Sequence, residues 1–335
     1  MDNLPRVSVI VPTRDRPRDL ADLLLTIINQ TYPPLEVIIV DDSLGGSAKQ
    51  VVDSFSSKFK FINCKLKYAK GSGDGLPAAR NLGVKLSNGD AVLFLDDDTL
   101  LGRNVIGALA TFLRDDPAAV GVQPKVLSSM RNMSKWWLVQ KFENAVYKAL
   151  MLSYHEKNRL KVRRSGASVF PNNLTKVIRA QRLSGCCCYR HEIFGELSFD
   201  ENLKRWGFME DLDFSYRVYK RNPRSLYAIP HAKIIHKASG EARLPTKLCV
   251  YMRTIYWFYV FFKDIFEGSI LNLTAFLWAL TGNLVTTVGG LIIKRKPKRE
   301  WWHLIYLFGS YATAFRNLKN ILMQRLEFFN KNLNR

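Results

Sequence analysis

The chain has 335 residues, 47% of them hydrophobic and 24% charged, enough for one large α/β domain or two smaller ones with ample core. Its five cysteines are an odd set, three of them adjacent (Cys186 to Cys188) and none in CxxC spacing, so reduced, mostly buried cytosolic thiols are expected. The formal net charge of +21 lies entirely in one part: residues 1–127 hold 15 basic and 15 acidic residues, and residues 128–335 hold 35 and 14. So basic a half suits a polyanion, whether nucleic acid, an anionic membrane surface or a phosphate-bearing substrate. The apolar stretches described below favour the membrane.

Met1 to Arg6 leads straight into Val7-Ser-Val-Ile-Val11 with no charged-then-apolar leader, and a secreted protein is not expected. This first strand ends in Pro12-Thr-Arg-Asp-Arg16. Leu20, Leu23, Leu24, Ile27 and Ile28 then recur at helical spacing until Tyr32-Pro-Pro34. Glu36-Val-Ile-Ile-Val40 is a second buried strand, delivering Asp41 and Asp42 at its end. A helix over 48–59, an irregular strand and the turn Gly71-Ser-Gly-Asp-Gly75 follow. A further helix over 77–86 then carries Arg80 and Asn81. Alternation of strand and helix predicts a doubly wound, mostly parallel sheet.

The chain is organised around Ala91-Val-Leu-Phe-Leu-Asp-Asp-Asp-Thr99. An apolar run without alternation is a strand buried on both faces. It releases Asp96, Asp97 and Asp98 at the carboxyl edge, where open α/β sheets place ligands. Adjacent carboxylates repel unless a cation sits among them. Mg²⁺ or Mn²⁺ holding a diphosphate is the economical partner, and a solvated acidic turn is the alternative.

Residues 128–183 are less regular, with a helical stretch from Trp136-Trp137 to about His155. Regularity returns at Leu183-Ser-Gly-Cys-Cys-Cys-Tyr-Arg-His191. Then come Phe199-Asp-Glu-Asn-Leu203, Trp206-Gly-Phe-Met-Glu-Asp-Leu-Asp-Phe214 running into a helix, and a strand near 225–230 leading to His231 and His236. From Leu248 the character changes. Residues 248–266 are apolar and aromatic, and Ile270 to Ile293 is 24 residues without a charge, long enough for a bilayer core. With the first part of the chain cytosolic, 248–266 would run outward and 270–293 return. That leaves the basic cluster Lys294 to Arg299 inside, as the positive-inside rule requires. An interfacial platform with nothing crossing is the other reading.

In order, Val9-Ile-Val-Pro-Thr-Arg14, Glu36 to Ser43, Ala78-Ala-Arg-Asn-Leu-Gly83, Asn88-Gly-Asp90 with Phe94 to Asp98, Gly185 with Phe199 to Leu203, and Glu210-Asp-Leu-Asp213 with Arg217 resemble the family 2 glycosyltransferases over about residues 6–240. The resemblance implies an inverting, metal-dependent enzyme of GT-A fold. Its nucleotide-sugar half would be 1–127 and its acceptor and catalytic half 128–245, before a helical membrane-association region at 246–335. It implies that Pro12, Thr13, Arg14, Asp42, Arg80, Asp96 and Asp97 bind the donor, a UDP-sugar before GDP or dTDP. Asp98, Asp96 and His236 would hold Mn²⁺ or Mg²⁺. Asp211 would be the base, with Glu210 and Asp213 as alternatives, and Gly185 and Trp206 would meet the acceptor. The first loop reads Thr13-Arg-Asp-Arg where Thr-Tyr-Asn is commoner, so Arg14 would replace an aromatic stack on the base.

The expected partners are a nucleotide-sugar, a glycan or lipid-linked acceptor and anionic lipid at the cell membrane, with the catalytic domain cytoplasmic. A polyprenyl-phosphate acceptor is the alternative within enzymes. A membrane-anchored binding protein is the alternative outside them. The basic half has no aromatic interleaving of an RNA module, so nucleic acid is not expected.

Overall fold

A computed structural model describes residues 3–128, 137–237, 239, 245–293, 297–331 and 333. The chain divides into two units. Unit 1 is Met1–Met133 with Asn173–Ala242, and unit 2 is Ser134–Asn172 with Arg243–Arg335. The sequence places boundaries near 127 and 245. The structure instead takes 134–172 out of the middle of the chain and groups it with the C-terminal region.

Unit 1 starts with β1 (Val7–Thr13), α1 (Pro17–Ile28), β2 (Glu36–Asp41), α2 (Ser47–Phe61), β3 (Lys65–Lys70) and α3 (Leu76–Leu86). It continues through β4 (Ala91–Phe94), β5 (Thr99–Leu101), α4 (Val105–Asp115) and β6 (Gly121–Ser128). The chain then enters unit 2 for α5 (Trp137–Ala149), β7 (Tyr154–Glu156), β8 (Lys161–Val162) and β9 (Ser168–Pro171). It returns for β10 (Ile178–Ala180), β11 (Cys188–Arg190), α6 (Glu210–Arg221) and β12 (Leu226–His236).

The sheet of unit 1 runs β10-β12-β6-β11-β4-β1-β2-β3, with β5 added beside β12. Strands β1 to β4 are parallel, and β11 is antiparallel to both β4 and β6. Because β12 pairs parallel with β6, its end and the ends of β1, β2 and β4 open on one edge. Every residue of β1, β2 and β4 is buried. Each such Val, Ile or Leu side chain contributes roughly 1.5–3 kcal/mol of transfer free energy, which explains the apolar runs read from the sequence. Strand β5 and the second half of β12 escape a reading by period. One is three residues long, and the other contains Pro230 and a register shift between Ile229 and Lys233.

The remaining elements of unit 2 are α7 (Thr246–Val260), continued by a π-helical turn at Phe261–Ile265, then α8 (Ile270–Ile293), α9 (Pro297–Arg316), α10 (Leu318–Leu322) and α11 (Glu327–Asn330). Strand β9 lies between β7 and β8 in a separate small sheet. The aromatic run of 248–266 builds the core of this unit. Met252, Ile255, Tyr256, Phe258 and Tyr259 are fully buried, and Phe261 stacks on Phe276 at 4.0 Å. Helix α8 contains a 22-residue stretch, Ile270–Leu291, long and apolar enough to cross a membrane. The side chains of Lys294 to Arg299 lie outside the described residues.

At the opposite edge of the unit 1 sheet, Glu36 is a buried polar hub. It accepts from Ser8 Oγ at 2.8 Å and Asn88 N at 2.6 Å, and pairs with Lys67 Nζ at 2.6 Å. Burial alone would raise its pKa, but Lys67, Ser8 and the Asn88 N–H together hold it below the usual value. Glu36→Ala should cost about 3 kcal/mol in urea denaturation at neutral pH. With a depressed folded-state pKa, the difference between the two proteins should be full above the unfolded pKa of about 4.3 and shrink as pH falls below it.

Candidate active site

The site is built where the strand ends of unit 1 meet the start of α6. After β4, the chain turns through Asp96, Asp97 and Asp98 straight into β5. The β5–β12 register sets Thr99 opposite His236. This fixes the imidazole over the acidic turn: His236 Nε2 is 3.3 Å from Asp98 Oδ1 and 3.7 Å from Asp96 Oδ2. Asp98 Oδ2 accepts from Ser239 N at 2.9 Å, and its Oδ1 is buried without a hydrogen bond. Asp96 pulls the pKa of His236 upward against the effect of burial. In return, His236 and Arg80 hold Asp96 down to about 2, although burial pushes it the other way.

Two carboxylates and an imidazole are donor types that a divalent ion such as Mn²⁺ takes. Oxygen ligands at about 2.1 Å in an octahedron lie about 3 Å apart, near the separations here, and an unbonded buried carboxylate oxygen is what such an ion would satisfy. The three side chains do not converge on a single point, and among the described residues no group of three His, Cys, Asp or Glu is spaced to hold a metal as it stands.

Asp97 turns the other way. It accepts from Thr13 Oγ1 at 2.8 Å and from Arg16 Nη1 at 3.1 Å. Burial pushes its pKa up to about 7 against the pull of Arg16 and Thr13. Thr13 and Asp97, both expected on the donor, therefore tie the first loop to the acidic turn. Pro12 and Thr13 are buried at the end of β1, while Arg14 is partly exposed with Nε 3.8 Å from Asp15. Asp42 accepts from Gly73 N at 3.0 Å and Gly75 N at 2.9 Å, holding the glycine-rich turn against the end of β2. Gly75 sits at φ +109°, and a Cβ there would lie 2.2 Å from Arg205 N, so only glycine fits.

Arg80 departs most from expectation. It is 1% exposed and does not reach outward toward a base or diphosphate. Nη1 donates to Glu210 at 2.7 Å and Nη2 to Asp96 at 3.2 Å, while the guanidinium lies 5.6 Å from the Phe94 ring and 5.3 Å from that of Phe199. Asn81 clamps Phe199 by a reciprocal pair of 2.9 Å bonds to its backbone N–H and C=O. The Ala-Arg-Asn run is thus a framework joining α3, the acidic turn and α6. Gly185 serves the same framework: a Cβ would stand 2.8 Å from Arg80 Nη2. Room for Arg80 explains this glycine without an acceptor.

Of the three carboxylates opening α6, Glu210 is buried on Arg80, and Asp213 is buried on Arg217 at 2.6 Å. Burial pushes Glu210 up to about 8 against the pull of Arg80, with Asp211 and Asp96 adding to the rise. Only Asp211 keeps appreciable exposure, 23% of its side chain, and Oδ2 is paired with Arg182. It is aimed by an abrupt turn, Met209 at φ +76° directly before the helix, a left-handed conformation rare outside glycine. Trp206 is half-buried beside Phe208, their rings 6.3 Å apart. Sequence reasoning missed Arg182, Arg16 and Ser239, none of which stands at a recognisable spacing from its partner.

Residues 8–172 match the family model described as Glycosyl transferase family 2. The chain carries a family 2 glycosyltransferase domain. Among curated relatives, the probable glycosyltransferase YdaM of Bacillus subtilis is 31% identical over 127 residues, 37% of this chain and 30% of that protein. The poly(ribitol-phosphate) beta-N-acetylglucosaminyltransferase TarS of Staphylococcus aureus is 29% identical over 110 residues, 32% of this chain and 19% of that one. The chain spans less than half the length of these relatives. Among solved structures, S. aureus TarS 1–349 in complex with UDP-GlcNAc superposes with a TM-score of 0.57 at 18% identity, covering 95% of this chain and 83% of that one. A mannosyltransferase from Pyrobaculum calidifontis in complex with GDP-Man and Mn²⁺ gives 0.58 at 18% identity, covering 94% and 88%. The fold is therefore GT-A-like, with a mostly parallel central sheet.

Removing Arg80 would strand Glu210 in a buried, unpaired state. Arg80→Ala should lower stability by about 3–5 kcal/mol in urea denaturation. Arg80→Lys should fail to restore it, because one ammonium cannot bridge two carboxylates with a planar fork.

Proposed function

We propose that the protein transfers a sugar, with inversion, from a nucleotide-sugar to a hydroxyl of a lipid-linked or cell-surface glycan at the cytosolic face of the membrane. The observation that carries this reading is the singling out of Asp211. It is the one carboxylate at the start of α6 left open, and it directly follows Glu210, which shares the buried Arg80 guanidinium with Asp96. One-step inversion needs such a pairing, with an acid facing the anomeric carbon from the side opposite the diphosphate. TarS with UDP-GlcNAc and the mannosyltransferase with GDP-Man and Mn²⁺ support a nucleotide-sugar donor and a divalent metal.

In this reading Asp98, Asp96 and His236 would hold Mn²⁺ or Mg²⁺, which when bound would supply Lewis-acid stabilisation of charge on the departing diphosphate. Asp211 takes the proton of the acceptor hydroxyl as its oxygen bonds to the anomeric carbon. The bond from that carbon to the diphosphate breaks, and the nucleoside diphosphate leaves with the electron pair. Arg182 orients the Asp211 carboxylate before the acceptor arrives. Arg14, at the open edge of the first loop, faces the nucleotide, and Trp206 offers a ring to the donor sugar or acceptor. Arg80, Glu210, Asp97, Thr13 and Asp42 act by position.

Two measurements test the reading. A UDP-sugar with Mn²⁺ should raise the melting temperature of the unaltered protein, and Asp98→Ala should abolish that shift. No shift with UDP-, GDP- or dTDP-sugars would overturn it. Asp211→Asn should lower kcat by about 10²–10⁴ with little change in donor binding. Full retention of transfer to a polyprenyl phosphate, whose oxygen is already anionic, would remove the base assignment and make that lipid the acceptor.

A further inference from the structure

Unit 2 contains 22 of the 50 basic residues but only 6 of the 29 acidic ones, so +16 of the net +21 resides in it. Its helices α8 and α9 each leave one side uncovered, and that side is apolar. Ile270, Leu271 and Trp278 on α8 are 75%, 63% and 52% exposed; Trp301, Ile305 and Phe308 on α9 are 57%, 52% and 54%. Exposed apolar faces of this extent, with tryptophans along them and strong positive charge in the same unit, match the boundary of an anionic bilayer.

Length alone would let α8 cross that bilayer, but its middle is fastened to the C-terminal end of α5 and the polar turn that follows it. Trp278 Nε1 donates to Ala149 O at 3.0 Å, and a Cβ on Gly282 would lie 2.9 Å from Leu150 O. Just beyond, Arg163 donates to the carbonyls of Lys148 and Leu152, both at 2.8 Å, and Ser165 Oγ donates to Met151 O at 2.6 Å. A crossing α8 would carry this turn and its guanidinium to the depth of the hydrocarbon, where irregular backbone and charge are strongly disfavoured. Lying flat keeps them at the wet boundary, where a tryptophan can bury its ring and still bond a polar partner through its N–H.

We infer that α8 and α9 rest in the plane of an anionic membrane, their apolar sides sunk into one leaflet, and that neither crosses. The occupant of the exposed face is lipid, selected by negative headgroups and an apolar interior. This holds whether or not the transfer chemistry above is right, since it uses unit 2 alone.

The test uses the full chain synthesised without cells in the presence of sealed vesicles. Flotation with vesicles about one-third phosphatidylglycerol should exceed flotation with pure phosphatidylcholine by at least about tenfold, and fall as salt rises from about 0.1 to about 0.5 M. Trp301→Ser with Phe308→Ser should cut flotation by a similar factor, whereas Asp211→Asn should float normally, which separates this inference from the catalytic one. Glu267→Cys and Lys298→Cys, flanking α8, should each gain a label from an impermeant maleimide in intact vesicles, relative to the unaltered protein. Labelling of either only after lysis would reveal a crossing and overturn the inference. So would equal binding to neutral vesicles, or a stable dimer in solution that hides the apolar sides and does not float.

Discussion

The site depends on one buried cation. Arg80 is shut away from water with Asp96 on one nitrogen and Glu210 on another, so the acidic end of β4 and the first turn of α6 are held at the two ends of a rigid planar group. A guanidinium so buried is tolerable only because its charge is met twice and its faces lie on Phe94 and Phe199. Without it Glu210 would be buried with its charge unmet, and Asp96 would be left with His236 at 3.7 Å. The geometry on which the proposed transfer relies therefore follows from a packing problem solved in the core, away from any substrate.

The surrounding features answer that problem in turn. Gly185 leaves room for a nitrogen that any side chain would displace. Asn81 fixes the backbone of Phe199, and Phe199 stacks on Phe214 at 4.3 Å, joining the ring under Arg80 to the body of α6. Asp213 ties α6 through Arg217 to Ser198 O, one residue before that ring. A run of motif pieces scattered from residue 78 to residue 217 is thus one connected framework.

That connection explains what the sequence disclosed and what it concealed. The strands β1, β2 and β4 were legible because burial on both faces leaves an uninterrupted apolar run, and their acidic ends marked the ligand edge. The structure leaves Asp211 partly exposed and sets His236 beside Asp98, the residues to which the family resemblance assigns the base and metal roles. Roles assigned by type alone fared worse: Arg80 and Gly185 look like ligand contacts in a linear reading, and only the fold shows the one buried and the other making space for it. Partners such as Arg182 with Asp211, or Ser239 with Asp98, are separated by 29 and 141 residues and carry no periodic signal. The division of the chain was hidden for a similar reason. Residues 134–172 leave unit 1 and return, and composition does not report which neighbours a segment finds.

Charge and packing also differ between the two units. Unit 1 holds 23 acidic against 28 basic residues, and much of its acid is spent in paired, buried positions near the strand ends. Unit 2 holds few acids and leaves its apolar sides uncovered. A nucleotide-sugar is itself an anion, and a diffuse positive field of the second kind around the first loop would bind it without orienting it. The acidic turn would do the reverse: in the proposed reading it repels a diphosphate until a cation intervenes, so donor and metal would bind there together. If both proposals hold, separating the two kinds of surface would let one chain meet an anionic membrane through general electrostatic attraction while keeping the donor edge selective for a metal-bound ligand.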